Sequence, residues 1–194
     1  MRLITLLAIF MALTIACTPK RHDAPVPRPT AYPRIQLYDT TYIVPGNIPV
    51  SFQVNAQAIP ELQSAHDSTR HHTAVWLDII YPAYKATMHC TFTPVDGKSR
   101  AAVRDNRAER MALNLGDNRA ERTDLTSVHG KYRTTILSTA SHTLTPVQFL
   151  SEGPDWIISG ALRMDHADRS DPDSIRPIIH AVTADIIHAA RHLK

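Results

Sequence analysis

Lys85 to Thr93 (KATMHCTFT) alternates without a break: Ala86, Met88, Cys90 and Phe92 point one way, and Lys85, Thr87, His89 and Thr91 the other. A period of two predicts a half-buried strand. Just before it, TAVWLDIIYP carries Val75, Trp76, Leu77, Ile79 and Ile80 almost continuously, the pattern of a central strand with Trp76 in the core. Tyr81-Pro82-Ala83-Tyr84 turns the chain between them, which predicts a hairpin. RIQLYDTTYIV and PVSFQVN, separated by Pro45-Gly46-Asn47, are β-rich and predict two opening strands. Ser64 to His72 (SAHDSTRHH) is polar and reads as a loop. KYRTTILST, HTLTPVQFLS and WIISGALRM predict three later strands, with Pro146 imposing a bulge or an edge position on the second. Trp156, like Trp76, is expected in the core.

Two segments follow the helical period instead. Ser99 to Leu115 is rich in Ala, Arg and Glu, with Gly116 placed to end it and Asp117 available to cap a second short helix. From about Ser174, after Asp171-Pro172-Asp173, to His192, the residues Ile175, Ile178, Ile179, Val182, Ile186, Ala190 and Leu193 make one apolar stripe. Pro177 is expected in the first turn of that helix, where a missing N–H is tolerated. The sum is an α+β domain with a mostly antiparallel central sheet flanked by two or three helices.

The first seventeen residues depart from this pattern. MRLITLLAIFMALTIAC has one basic residue, Arg2, then an apolar run from Leu3 to Ile15, the length of a signal-peptide core and short for a bilayer span. It ends at Ala16-Cys17, which looks like a lipoprotein cleavage site, with Thr14 where an aliphatic residue is usual. The expected organisation is a signal peptide over residues 1–16, lipidated Cys17 and a tether over residues 17–33, and one domain over residues 34–194. The tether holds Pro19, Pro25, Pro27, Pro29 and Pro33. That composition gives a semi-rigid spacer of roughly 3 Å per residue, on the order of 50 Å in all. An ordinary secretory signal with an incidental cysteine is the competing interpretation. Several acyl chains on Cys17, palmitate among them, would hold the protein at the membrane more firmly than one.

Composition changes this picture little. Hydrophobic content of 43% and charged content of 20% are globular values. The net charge of +3 comes without a Lys/Arg block or aromatic-basic interleaving, so no nucleic-acid surface is expected. With Cys17 lipidated, Cys90 is the one remaining thiol, and stability must come from packing. DNRAER occurs at Asp105–Arg110 and again at Asp117–Arg122. Twelve residues advance a helix by about 1200°, so two copies in one helix would sit about 120° apart and share no face.

Eleven histidines raise the question of a metal. His180, His188 and His192 fall on the polar side of the last helix, with Asp185 nearby but no HExxH spacing, and a solvated face is expected. His71-His72 lies in the polar loop. His89 and Cys90 point to opposite faces of a strand, which excludes a dyad and leaves Cys90 as a small buried hydrophobe. Asp165, Asp168, Asp171 and Asp173 lack EF-hand spacing, and Asp171 or Asp173 serves most simply as a helix cap. No GxSxG, Walker A or GxGxxG motif is present, and six glycines leave little for phosphate-cradling loops. No catalytic residue, cofactor or metal is expected.

An ordered set of motifs resembles the gliding-motility lipoprotein GldD family. It comprises PRPTAYPRIQL (Pro27–Leu37) with PVSFQVN, WLDIIYPAYKATMHCTF (Trp76–Phe92), TPVQFL (Thr145–Leu150), SGALRM (Ser159–Met164), DPDSIRPII (Asp171–Ile179) and DII-H (Asp185–His188). The chain departs from the family at LGDNRAERTDL, where only a basic-Ala pair at Arg119-Ala120 is kept, and in its Ala-Ala-Arg-His-Leu-Lys ending. The resemblance implies a membrane-anchored cell-envelope protein with its domain in the periplasm, not an enzyme. It implies support of gliding or type IX secretion, with other lipoproteins of that machinery as partners. The element order is also similar to a PsbP/Mog1-type α/β/α sandwich.

On this basis Cys17 is the anchor. The candidate interaction surface is the hairpin tip Tyr81, Pro82, Tyr84 and Lys85 with Pro146 and Gln148, since tyrosines enrich at interfaces. Burial of Tyr81 or Tyr84 is the competing expectation. Two rival functions remain at this stage: a lipid-anchored module binding a small ligand or cell-wall fragment, and a metal-dependent hydrolase using the histidines.

Overall fold

The computed structural model describes residues 36–63, 74–141, 143–165 and 171–194. All lie in the unit Arg34–Lys194; the unit Met1–Pro33, and with it the signal, Cys17 and the tether, is outside them, as are the loop Ser64–His72 and Asp168.

The framework is a seven-stranded antiparallel sheet with strands in the order β3-β4-β5-β9-β8-β7-β6. In chain order these are β3 (Ile59–Gln63), β4 (Val75–Tyr81), β5 (Ala86–Pro94), β6 (Glu121–Thr126), β7 (Arg133–Ser138), β8 (Val147–Glu152) and β9 (Trp156–Met164). Helix α1 (Arg100–Leu115) follows β5, and α2 (Pro172–Arg191) closes the chain. Two short strands, β1 (Tyr42–Ile43) and β2 (Val54–Asn55), form a separate two-stranded sheet. The α+β class expected from the sequence is the class found.

One sheet face holds the main core. Leu77, Ile79 and Tyr81 of β4, Met88, Cys90 and Phe92 of β5, Ile158 and Leu162 of β9, and Val147 and Phe149 of β8 are all buried there. The β5 alternation read from the sequence is therefore the register observed, with Cys90 2% exposed. The isoleucine stripe of α2 covers part of this face, and the segment 36–58 covers the rest, through Val50, Phe52 and Val54. Phe52 meets Phe92 edge-on at 5.7 Å and stacks on Phe149 at 5.9 Å. Cβ of an alanine at Gly160 would lie 2.3 Å from Phe149 Cε1, so glycine gives that ring its space on the neighbouring strand.

The opposite sheet face is thinly covered. Helix α1 crosses β8 and β9 and buries only Met111, against Leu150 and Ile157. The N-cap Ser99 makes no side-chain capping bond; Asp96 instead closes the turn before the helix, one carboxylate oxygen accepting from the Lys98 and Ser99 amides. Gly116 ends it as expected, but at φ 57° and ψ −135°, a positive-φ conformation open to glycine and not the left-handed helical one. Arg100 fastens its start to the carbonyls of Gly153 and Pro154.

Four local expectations are corrected. The second short helix is strand β6: the DNRAER copy at Asp117–Arg122 runs from a turn into an edge strand. The two opening strands pair over only two residues each, because the segment's alternation serves packing onto the core. Pro146 lies just before β8, a central strand, since a residue without N–H cannot join the ladder. Helix α2 starts at Pro172, which puts Pro177 in the second turn; Asp171 caps it, accepting from the Asp173 amide at 3.1 Å.

Candidate functional site

The segment 36–58 is a strap, and its fastenings are the densest long-range polar interactions among the described residues. Pairing of Tyr42 with Asn55 across β1–β2 brings both side chains to Asp185 of α2. Tyr42 Oη donates to Asp185 Oδ1 at 3.0 Å, and Asn55 Nδ2 donates to the same oxygen at 3.3 Å. Asn55 Nδ2 also donates to the Asp39 carbonyl at 2.8 Å, while its Oδ1 accepts from the Gln57 amide at 3.0 Å. His188 stacks flat on Tyr42, 3.6 Å between centroids and 7° from parallel, and hydrogen-bonds Gln53 at 2.6 Å. His192 continues the stack at 4.2 Å.

A second fastening lies at the turn between β4 and β5. Tyr38 stacks on Tyr84 at 4.6 Å and on Tyr81 at 6.0 Å. Its amide donates to Tyr84 Oη at 2.8 Å, and its hydroxyl accepts from the Ala83 amide at 3.2 Å. Pro82–Tyr84 form one 3₁₀ turn, closed by Lys85 in the left-handed conformation at φ 50°.

The electrostatics follow from burial. Asp185 is 8% exposed and meets neutral donors, so desolvation raises its pKa, partly offset by the hydrogen bonds from Asn55 and Tyr42. Burial, then the Asp185 charge and hydrogen bond, push the Tyr42 phenol up to about 12. Burial, then His192, lower the pKa of His188. Burial likewise raises the Cys90 thiol, which suits a packing role. The arrangement holds a strap in place; among the described residues no group of three or more His, Cys, Asp or Glu is placed to bind a metal ion.

The family model described as "Gliding motility lipoprotein GldD" matches residues 22–194. The chain belongs to this family. No curated protein matches it. Both fastenings fall on motifs that carried the resemblance: Tyr81 and Tyr84 in WLDIIYPAYK, Asp185 and His188 in DII-H. The GldD family name makes this a lipoprotein linked to gliding motility, and no helix among the described residues is long and apolar enough to cross a membrane.

The surface expected for docking is mostly interior in this GldD-family domain. Tyr81 is 1% and Tyr84 4% exposed, both covered by Tyr38. Pro146 is buried, and Gln148 lies beneath α1, its Nε2 donating to the Met111 carbonyl at 3.3 Å. Pro82 and Lys85 alone of the six are exposed. Trp76 is 41% exposed, because on its sheet face α1 crosses β8 and β9 and leaves β4 uncovered, whereas Trp156 packs against the core as expected. His180 is exposed as expected, but His188 is half-buried because the strap covers it. Tyr38, Tyr42, Asn55 and the role of Asp185 were missed. A carboxylate within an otherwise apolar DII-H stretch was the available signal.

Proposed function

We propose that this protein is a lipid-anchored component of the cell envelope, held at the membrane by Cys17 with its domain in the periplasm. It supports gliding motility, type IX protein secretion or both, by assembling or stabilising partner lipoproteins of that machinery. The observation that carries this reading is the GldD family match, which spans the domain and part of the preceding Pro-rich segment. Pro82 and Lys85, exposed at the tip of the β4–β5 turn, are the part of the expected docking surface that a partner can reach.

Deletion of the gene, complemented by wild type or by Cys17→Ala, tests it. Delivery of a type IX cargo to the surface, colony spreading and the abundance of partner lipoproteins are the readouts. The expected result is a loss that wild type restores and Cys17→Ala does not. Normal delivery, movement and lipoprotein levels in the deletion strain refute it.

A further inference from the structure

Between α1 and the sheet lies a cleft of about 130 Å³, on the order of four water molecules' share of liquid volume. Its helix wall carries Arg107 and Arg110, and its sheet wall carries His89, Thr91 and Ser159. Thr91 and Ser159 are directly paired residues of β5 and β9, so their hydroxyls share one sheet face with His89. Asp78 on the neighbouring strand holds His89 Nδ1 at 2.7 Å and fixes the ring. No Asp or Glu among the described residues lines the cleft. Neither arginine forms an ion pair among the described residues, although Arg104, Arg122, Arg163 and Arg176 each do. Arg107 is half-buried, spends one N–H on Thr93 Oγ1 at 3.2 Å, and has its pKa lowered by burial and by the charge of Arg110.

Two like charges one helical turn apart are mutually unfavourable, and here no acidic side chain among the described residues ion-pairs with either. A planar guanidinium fork beside hydroxyl donors suits a tetrahedral oxyanion, which takes several charge-assisted hydrogen bonds at once. We propose that the cleft formed by Arg107, Arg110, His89, Thr91 and Ser159 is a binding site for a small phosphate-bearing ligand. The cleft holds a phosphate group and little more, with the remainder of the ligand leaving through its open side. The phosphate comes either from a soluble monoester or from a lipid headgroup. The site is independent of the family role and of the strap, which lies on the other sheet face.

The full-length chain in a non-ionic detergent is titrated with inorganic phosphate and glycerol 3-phosphate at constant ionic strength, with chloride as the blank. Calorimetry gives affinity, and the unfolding midpoint gives ligand stabilisation. Wild type binds saturably, and Arg110→Gln binds about tenfold or more weakly. Arg133→Gln, an exposed position on β7 outside the cleft, binds as wild type. Arg110 is itself exposed, so the variant folds, as its midpoint without phosphate shows directly. Short-chain phosphatidylglycerol, against short-chain phosphatidylcholine, forms the second arm. Arg110-dependent binding there, with none to the soluble phosphates, assigns the site to a headgroup. No binding in either arm, or equal binding by Arg110→Gln, overturns the proposal. So does a Glu-rich peptide that binds through Arg110 where phosphate does not.

Discussion

Replacing Phe52 by alanine asks how much of the domain's stability enters through the strap. Phe52 belongs to neither main sheet nor helix, yet it is 1% exposed and touches the rings of Phe92 and Phe149 from two adjoining regions of the core. Burial of a phenylalanine and the cavity left by its removal together cost about 3–5 kcal/mol. Rings on both sides are held by their own strands, so little collapse into the space is available and the upper half of that range is expected. Against a total of about 5–15 kcal/mol this is a large share. The thermal unfolding midpoint should fall by roughly 8–20 °C for a domain of this size. A thermal scan measures that shift, and urea unfolding of the full chain in non-ionic detergent, followed by the fluorescence of Trp156 and Trp76, measures the free-energy loss. Ile43→Ala is the control, because Ile43 is on the same strap but 43% exposed, and a change within about 0.5 kcal/mol is expected there. A loss below about 1 kcal/mol for Phe52→Ala, or one equal to the control, refutes the view that the strap completes the core.

Two further outcomes follow from local geometry. Asp185→Asn keeps an acceptor for Tyr42 and Asn55 while removing a buried charge. Because burial raises the Asp185 pKa, the folded state binds its proton more readily than the unfolded state does. Wild-type stability therefore declines as pH rises from the ordinary carboxylate value through the folded-state value. The variant should be at least as stable as wild type at pH 7, with the difference closing on acidification below the ordinary value. A variant less stable at pH 7, by a margin that acid leaves unchanged, contradicts the assignment. Gly160→Ala drives a Cβ into the Phe149 ring, which Phe52 holds from the other side, and should cost about 1–3 kcal/mol in the same urea assay. An unchanged midpoint there means the ring moves freely and the core is looser than its contacts imply.

What the sequence disclosed and what it hid divide along sequence separation. The β5 alternation and the α2 stripe are short-period signals with one apolar face each, and both appear where the pattern puts them. Strand β6 was illegible because ERTDLT has a single apolar residue. As an edge strand it buries little and carries charge, which is how edges avoid further pairing. Strand β3 lies at the other edge and contains Pro60, which argues against a strand in any local reading. The polar face of α2 was misjudged for a different reason. Asp185 and His188 look solvated along the helix alone, and the residues that cover them are 143, 130 and 135 positions away. Helical periodicity carries no information about such a cover. Between exposed and buried tyrosines at the β4–β5 turn the local sequence could not decide for the same reason, since Tyr38, which covers them, stands 46 positions before Tyr84.

Those same distances bear on how an anchored protein holds together. If lipid on Cys17 restrains the chain, any pull enters the domain through the strap, whose first fastening is Tyr38 on the β4–β5 turn. The next, Tyr42 and Asn55 on Asp185, is attached to the closing helix, so the load is shared between a hairpin of the sheet and the last helix. Hydrogen bonds to a buried carboxylate resist such a pull in a way that apolar contacts alone do not. Lifting the strap breaks both at once, since Tyr42 and Asn55 share one oxygen of Asp185. A lone phenylalanine would seat the strap equally well at rest. With Cys17 lipidated as proposed, Phe52 in the core and the Asp185 lock beside it would together keep the segment docked while its other end is held.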